Sequence, residues 1–108
     1  MDNTIRRMAK ILGASGVEAS GHDASFEAAT ASGERLRVSL KGDAQRLMAV
    51  LQDPTGQTRC TVDVAPVAHV TETPAVPGRA TVHIGRLQIH IDSQPSLSIE
   101  IVSTDAAG

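Results

Sequence analysis

The hydrophobic residues follow a helical period near the N-terminus and an alternating period over most of the remaining chain. Ile5, Met8 and Leu12 fall at helical spacing within residues 4–12, and Gly13 is a suitable stop. The pattern predicts a short helix over residues 4–12. A helix of this length is marginal alone in water, so it must dock on the domain or on a partner, or stay loose.

The segment after this helix is rich in small residues. Residues 13–23 contain three glycines together with serines such as Ser15 and Ser20, which predicts a flexible connector. The chain therefore divides into an N-terminal helix with its Gly/Ser connector over residues 1–23, a β domain over 24–102, and a flexible tail over 103–108.

Alternation of period two begins at Glu34 and predicts a strand over residues 34–41. One face of this strand is apolar and buried, and the other is basic and solvated. Residues 26–30 can pair with it as a hairpin, with the turn at residues 31–33. The apolar face carries Leu36, Val38 and Leu40, and the basic face carries Arg35, Arg37 and Lys41.

Residues 43–52 are compatible with two structures. Asp43 is a suitable N-cap, and the apolar residues that follow it have the spacing of an amphipathic helix. The alternative is a strand over residues 47–52, followed by a turn that contains Pro54. The helical spacing is that of Ala44, Leu47, Met48 and Leu51.

The C-terminal half is plainly β. Alternating apolar residues predict strands over 58–64, 67–72 and 97–102, and a hairpin over 79–92 that turns at Gly85-Arg86. The predicted fold class is therefore mainly β: a small barrel or sandwich of five to six antiparallel strands. It has a short N-terminal helix and, if residues 43–52 are helical, a second one.

The amino-acid composition excludes several classes of function. A chain of 108 residues and 11.3 kDa is one small domain, and Phe26 is its only aromatic residue. Surfaces that stack nucleic-acid bases or enclose methylated cations are thereby excluded. Ten basic against twelve acidic residues also argue against a strongly basic nucleic-acid protein. Residues 60–108, with two basic and five acidic side chains, form a mildly acidic half.

The single cysteine and the lack of long apolar runs bear on location. One cysteine, Cys60, cannot form an intrachain disulfide, which is typical of a reducing compartment. No signal core follows the N-terminal basic residues, and no stretch approaches the roughly 20 apolar residues of a membrane span. We expect an intracellular protein without membrane contact.

Histidines are the candidate metal ligands. In the predicted hairpin, His83 faces Gln88 and Thr81 faces His90, so His83 and His90 lie diagonally, about 7–8 Å apart at Cα. Zinc takes about three or four protein ligands, and two imidazoles do not make a site. The further candidates Asp92, His69 and Glu72 have no recognised metal-binding spacing. Solvated strand histidines are the favoured interpretation, and no cofactor is expected.

No catalytic constellation is present in the sequence pattern. Cys60 lies on the inward face of its strand, where a thiol behaves as a small hydrophobic group. The Gly-x-Ser-x-Gly elbow is missing, and the glycines at 13, 16 and 21 lack the lysine and hydroxyl of a phosphate-binding loop. We predict that the chain is not an enzyme, has no catalytic residue and takes no small-molecule substrate.

Several short segments resemble the lambdoid phage head–tail joining proteins. The opening helix contains Thr4-Ile5-Arg6, and Asp53-Pro54 follows an apolar strand-like run. The C-terminal block consists of Pro77-Gly78-Arg79-Ala80-Thr81-Val82-His83-Ile84-Gly85, Leu87-Gln88-Ile89-His90-Ile91 and Leu97-Ser98-Ile99-Glu100-Ile101. It is similar to the family's pattern of two strands joined by a short turn and followed by a final alternating strand.

This resemblance implies a structural virion protein, a ring-forming connector that closes the head beneath the portal and docks the tail. Its expected partners are further copies of itself in the particle, portal or adaptor and tail proteins, and packaged DNA near the channel. It would be assembled in the host cytoplasm and reside in the virion. The candidate interface residues are Ile5, Met8, Leu12, Arg35, Arg37, Lys41, Arg79 and Arg86.

Two alternatives stand beside the connector hypothesis. The first is a related virion role, as a tail terminator or a capsid decoration protein. The second belongs to a different class: a small intracellular protein-binding module or inhibitor that covers a basic site on its partner with its acidic half.

Overall fold

A computed structural model describes residues 3–14, 16–21, 23–42, 45–67, 69–72, 76–93 and 96–103 of the chain. Within these ranges the protein forms one helix, α1 (Asn3–Leu12), followed by nine strands. The strands are β1 (Glu18–Ser20), β2 (Asp23–Ala29), β3 (Arg35–Lys41), β4 (Arg46–Gln52), β5 (Thr58–Val64), β6 (His69–Glu72), β7 (Arg79–Ile84), β8 (Leu87–Asp92) and β9 (Ser98–Ser103). Residues singled out above that lie outside the described ranges are Ser15, Asp43, Ala44 and 104–108.

The strands form two antiparallel sheets, in the order β1-β2-β3-β4-β5 and β6-β7-β8-β9. Within each sheet, strands that are consecutive in the chain pair with each other, whereas β5 and β6 belong to different sheets. The predicted mainly β class with an N-terminal helix is confirmed. The sheets are open rather than closed into a barrel, so the sandwich is the form adopted. The described strands also outnumber the five to six predicted.

The hairpin of β2 and β3 forms as its alternation predicts. Phe26 lies opposite Val38 and Ala28 opposite Leu36, and all four side chains are buried. The turn between the strands contains Gly33, whose φ of +100° suits glycine. A Cβ built on Gly33 would lie 3.3 Å from the Cβ of Pro54, so this turn packs closely on the next hairpin turn.

The ambiguous segment is a strand, so the helical alternative for residues 43–52 is wrong over its described part. In β4 every second side chain, at Leu47, Ala49 and Leu51, is buried against the core. Pairing with β3 on one side and β5 on the other satisfies the backbone of β4. This tertiary pairing outweighs the local helical spacing.

The predicted connector over residues 13–23 contains a short strand. Glu18–Ser20 pairs with β2, with Glu18 opposite Ser25 and Ser20 opposite Asp23. All three residues of β1 are exposed, so backbone pairing with β2, rather than burial of side chains, holds them in a strand. That is why the small-residue composition did not reveal this strand.

The C-terminal hairpin has the predicted register. Ile84 lies opposite Leu87, His83 opposite Gln88 and Thr81 opposite His90. Gly85 has a φ of +55° and Arg86 follows with negative φ, as a type II′ hairpin turn requires. The inner face of this sheet is aliphatic and buried, through Val70, Ala80, Val82, Ile89 and Ile91.

Helix α1 packs against β2 and β3 of the first sheet and against β6 and β7 of the second. Its apolar residues Ile5 and Met8 are fully buried, and Leu12 nearly so. On its flank, the Arg7 guanidinium donates a hydrogen bond to the Val70 carbonyl, with 3.3 Å between Nη1 and O. The helix therefore joins both sheets in one hydrophobic core.

Candidate protein-binding surfaces

The helix residues proposed as an interface belong to the interior of the chain. Ile5, Met8 and Leu12 all lie in the core that α1 shares with the two sheets. They are therefore not an exposed contact surface, and this part of the predicted interface is corrected. The physical reason is that the two sheets supply the docking site that a ten-residue helix needs.

The outward row of β3 is exposed at Arg35, Arg37 and Lys41, as predicted. Its charge is offset by acidic side chains on the same face. Arg37 contacts Glu27 of β2, with 3.4 Å between Nη2 and Oε2, and Lys41 lies opposite Asp23. The face is therefore mixed in charge rather than basic.

A second ion pair extends this mixed face across β4 and β5. The Arg46 guanidinium donates two hydrogen bonds to the Asp63 carboxylate, at 2.7 Å from Nε and 2.5 Å from Nη2. The hydrogen bond with Arg46 lowers the pKa of Asp63, and the same bond raises the pKa of Arg46. Both side chains are solvated, so the pair fixes geometry more than it adds stability.

A groove of about 520 Å³ opens on this face of the first sheet. It lies beside β1 and combines carboxylate, guanidinium and hydroxyl groups, so it suits polar contacts with another protein. Its lining residues are Gly16, Glu18, Ser25, Phe26, Glu27, Arg37 and Ser39.

The remaining predicted interface residues, Arg79 and Arg86, have different settings. Arg79 is half-buried and donates two hydrogen bonds to Asp92 on the paired strand, at 2.7 and 3.0 Å. This bond to Asp92 raises the pKa of Arg79. Arg86 is exposed in the β7–β8 turn. Arg79 therefore links β7 to β8 through Asp92, and Arg86 lies at the turn of the same hairpin.

The outer face of the second sheet carries three histidines, which we call the histidine face: His69, His83 and His90. The rings of His69 and His83 stack, with their centroids 4.2 Å apart and their planes 8° apart. Thr71 Oγ1 lies 2.9 Å from His83 Nε2, within hydrogen-bond distance. Burial and the two neighbouring histidines lower the pKa of His83.

His90 occupies the centre of this face with both ring nitrogens enclosed. Neither nitrogen has a hydrogen-bond partner among the described residues. Over those same residues, no group of three or more histidine, cysteine or acidic side chains is arranged to hold a metal ion. The sequence indicates His69 only as a further metal candidate without a recognised spacing, and it does not predict that His69 stacks on His83. The two residues lie opposite each other because of the register between β6 and β7, which the alternation within each strand does not determine.

Cys60 lies on the inner side of β5 and packs against the core while half-exposed. In the described part of the chain, no helix is long and apolar enough to cross a membrane.

Comparison with known proteins gives a fold but no family. No family model matches the chain, and no curated protein matches it. The chain is similar to a solved structure described as a contact-dependent growth inhibition toxin–immunity protein complex from Klebsiella pneumoniae 342. The TM-score is 0.71 at 10% identity, over 92% of this chain and 92% of that chain. At this identity the likeness establishes the fold.

This likeness contradicts the head–tail connector hypothesis. The match extends over nearly the whole chain, and the matched chain comes from a toxin–immunity complex rather than from a phage particle. The virion role, in the connector, terminator or decoration form, is therefore corrected, and ring copies, portal and tail proteins and packaged DNA have no support as partners. No family comparison bears on the resemblance to the joining proteins, which stays a prediction.

Proposed function

We propose that this protein is an immunity-type inhibitor, which binds a protein toxin and neutralises it by covering part of its surface. The observation that carries the proposal is the fold match to a chain of a toxin–immunity complex, at a TM-score of 0.71 over 92% of both chains. It agrees with the protein-binding alternative drawn from the sequence. Inhibition by binding assigns no catalytic residue to the chain.

The outer surfaces support such a role because they are held in place before any partner arrives. Cross-strand ion pairs fix long side chains on both sheets: Arg46 with Asp63 on the first, and Arg79 with Asp92 on the second. A side chain that is already ordered loses less entropy on binding. A small module with fixed polar faces is therefore suited to recognising another protein.

The acidic half contributes less free charge than its sequence indicates. Two of its carboxylates, Asp63 and Asp92, are engaged by arginines of this chain. Glu72 and Glu100 are exposed at the two edges of the second sheet. Of the described acidic groups in this half, these two are the best placed to meet basic groups of a partner.

A growth-rescue screen tests the proposal. Genomic fragments from the source organism are expressed under an inducible promoter in a sensitive strain, with and without this protein. We expect at least one fragment that stops growth alone and is tolerated when the protein is co-expressed. The purified pair should then co-elute as a stoichiometric complex.

The control is an Ile5→Asp variant, which places a charge in the core and should fail to protect. Absence of any protected fragment would overturn the proposal. Growth arrest caused by this protein alone would overturn it as well, because the chain would then be on the toxin side of such a complex.

A further inference from the structure

Each sheet has two edge strands, whose outward N–H and C=O groups have no partner strand among the described residues. The first sheet ends in β1 and β5, and the second in β6 and β9. Such edges readily accept a strand from another chain unless the protein protects them. The four edges of this fold are protected to different degrees.

Three edges carry a recognisable protection. β1 has three residues, which is too short to pair strongly. Along β5 the exposed side chains of Arg59 and Asp63 are charged, and a register shift at Leu51/Gln52 disturbs the ladder beside it. At β6 the guanidinium of Arg7 bonds the carbonyl of Val70 and occupies that edge. Charges, bulges and covering groups all block strand addition.

The β9 edge is less protected within the described residues: Glu100 is its one charged side chain, and its register with β8 has no shift. β9 has six residues, and Ile101 in it is 57% exposed. Leu87 on β8, at 40%, is the other large hydrophobic side chain exposed in the described part of the chain. Ile101 lies opposite Ile89, so Leu87 is its diagonal neighbour on the same face. The exposed aliphatic surface is therefore concentrated at one edge.

We propose that the β9 edge, Ser98–Ser103 with Leu87, binds an extended segment of the protein partner as an added strand. The proposal rests on the proposed function for the identity of that partner. Main-chain hydrogen bonds would supply affinity, and alternate side chains would supply specificity. The segment continues the second sheet beyond β9.

The two faces of β9 specify the chemistry of the added strand. On the inner face, an aliphatic side chain of the partner would cover Ile101 and extend the buried row of Ile89 and Val82. On the outer face, a lysine or arginine would meet the exposed carboxylate of Glu100. The expected segment alternates aliphatic and basic residues.

A second copy of the chain is less suited to this edge. Antiparallel pairing of β9 with itself, when its central residues pair, sets the two Glu100 carboxylates opposite or diagonal to each other. Like charges at these positions destabilise the pairing. The occupant is therefore assigned to a different protein.

A peptide experiment tests the edge without any knowledge of the partner. The probe is a capped synthetic hexapeptide of alternating lysine and valine, titrated into the labelled protein and followed by amide chemical shifts. We expect perturbations concentrated on the backbone of β9, with affinity falling about tenfold or more in Ile101→Lys. Thr61→Lys on β5 adds the same charge to another edge and should leave binding unchanged.

No perturbation at millimolar peptide, or perturbation centred on β5, would overturn the proposal. Light scattering adds a further outcome: a dimer of the parent protein that becomes monomeric in Ile101→Lys would assign the edge to a second copy. Because Ile101 is more exposed than buried, the variant should keep its melting temperature.

The growth-rescue screen separates this proposal from the proposed function. Protection by the parent protein that is lost in Ile101→Lys and kept in Thr61→Lys supports both. Equal protection by all three proteins would overturn the edge proposal and leave the proposed function intact. Where the parent protects against no fragment, the proposed function fails, and the peptide titration still decides whether β9 accepts a strand.

Discussion

His69 and His83 lie directly opposite each other on β6 and β7, and their rings stack with centroids 4.2 Å apart. Protonation of either ring places a cation beside the other, and His90 flanks them on β8. Burial is the largest cause that lowers the pKa of His83, and the two histidines add to it. The folded structure therefore favours the neutral form of His83.

We expect the protein to lose stability as the pH falls below about 6.5, the ordinary histidine pKa. In that range the unfolded chain binds a proton that the folded His83 resists, so the free energy of unfolding rises with pH. The charged groups facing this cluster are Glu100 on β9 and the Arg79–Asp92 pair. Urea denaturation between pH 7.5 and 5 measures the slope.

His83→Gln is the matched variant, since glutamine retains a polar side chain and does not titrate. Its stability should depend less steeply on pH between 7 and 5 than that of the parent protein. Equal slopes in the two proteins would contradict the assignment to His83.

Gly33→Ala should destabilise the protein, because a left-handed φ of +100° is unfavourable for alanine and its Cβ would press on Pro54 at 3.3 Å. Together the strain and the contact predict a loss of about 1–3 kcal/mol in the free energy of unfolding. Chemical denaturation measures it. Ser32→Ala, in the same turn, is the control and should cost far less. Unchanged stability in Gly33→Ala would show that the turn relaxes.

Ile5→Ala should lower the free energy of unfolding by about 2–5 kcal/mol, the range for large aliphatic residues in cores. Ile5 is fully buried on the helix that contacts both sheets. Chemical denaturation followed by circular dichroism measures the loss. Lys10→Ala, on the exposed side of the same helix, should change stability by less than about 0.5 kcal/mol. A small effect at Ile5 would mean that the helix docks loosely.

Arg79→Met should destabilise the protein more than Arg37→Met. Arg79 and Asp92 are half-buried and joined by two hydrogen bonds, whereas Arg37 and Glu27 meet in solvent at 3.4 Å. Losing Arg79 leaves the Asp92 carboxylate partly buried without its partner. Melting temperatures of the two variants provide the comparison. Equal shifts in melting temperature would mean that the Arg79–Asp92 pair stabilises the protein no more than the exposed Arg37–Glu27 pair does.

The alternating segments were predictable because each carries a single period. Leu36, Val38 and Leu40 could bury one face only as a strand, and the C-terminal hairpin was specified to the residue by its Gly85-Arg86 turn. The segment 43–52 was ambiguous because Leu47 and Leu51 satisfy both periods, and only pairing with β3 and β5 decides between them.

The surfaces were harder to predict than the core. The sequence of β3 predicts a row of basic side chains. Whether acidic side chains such as Glu27 and Asp23 neutralise that row depends on which residues of β2 lie opposite it. The exposure of Ile101 likewise depends on β9 being the last strand of its sheet. Neither property is encoded by the periodicity of one segment.

Helix α1 is synthesised before the strands that support it, and one of its two supporting sheets is encoded after residue 68. The bond between Arg7 and Val70 spans 63 positions of the chain. Contacts between such distant positions form slowly, because a long loop must close before they can contribute. The nascent chain therefore emerges with an amphipathic helix whose apolar face has only the first of its two supporting sheets available. Helix α1 can complete its packing only after β6 and β7 have left the ribosome, and until then its apolar face is open to chaperones and aggregation.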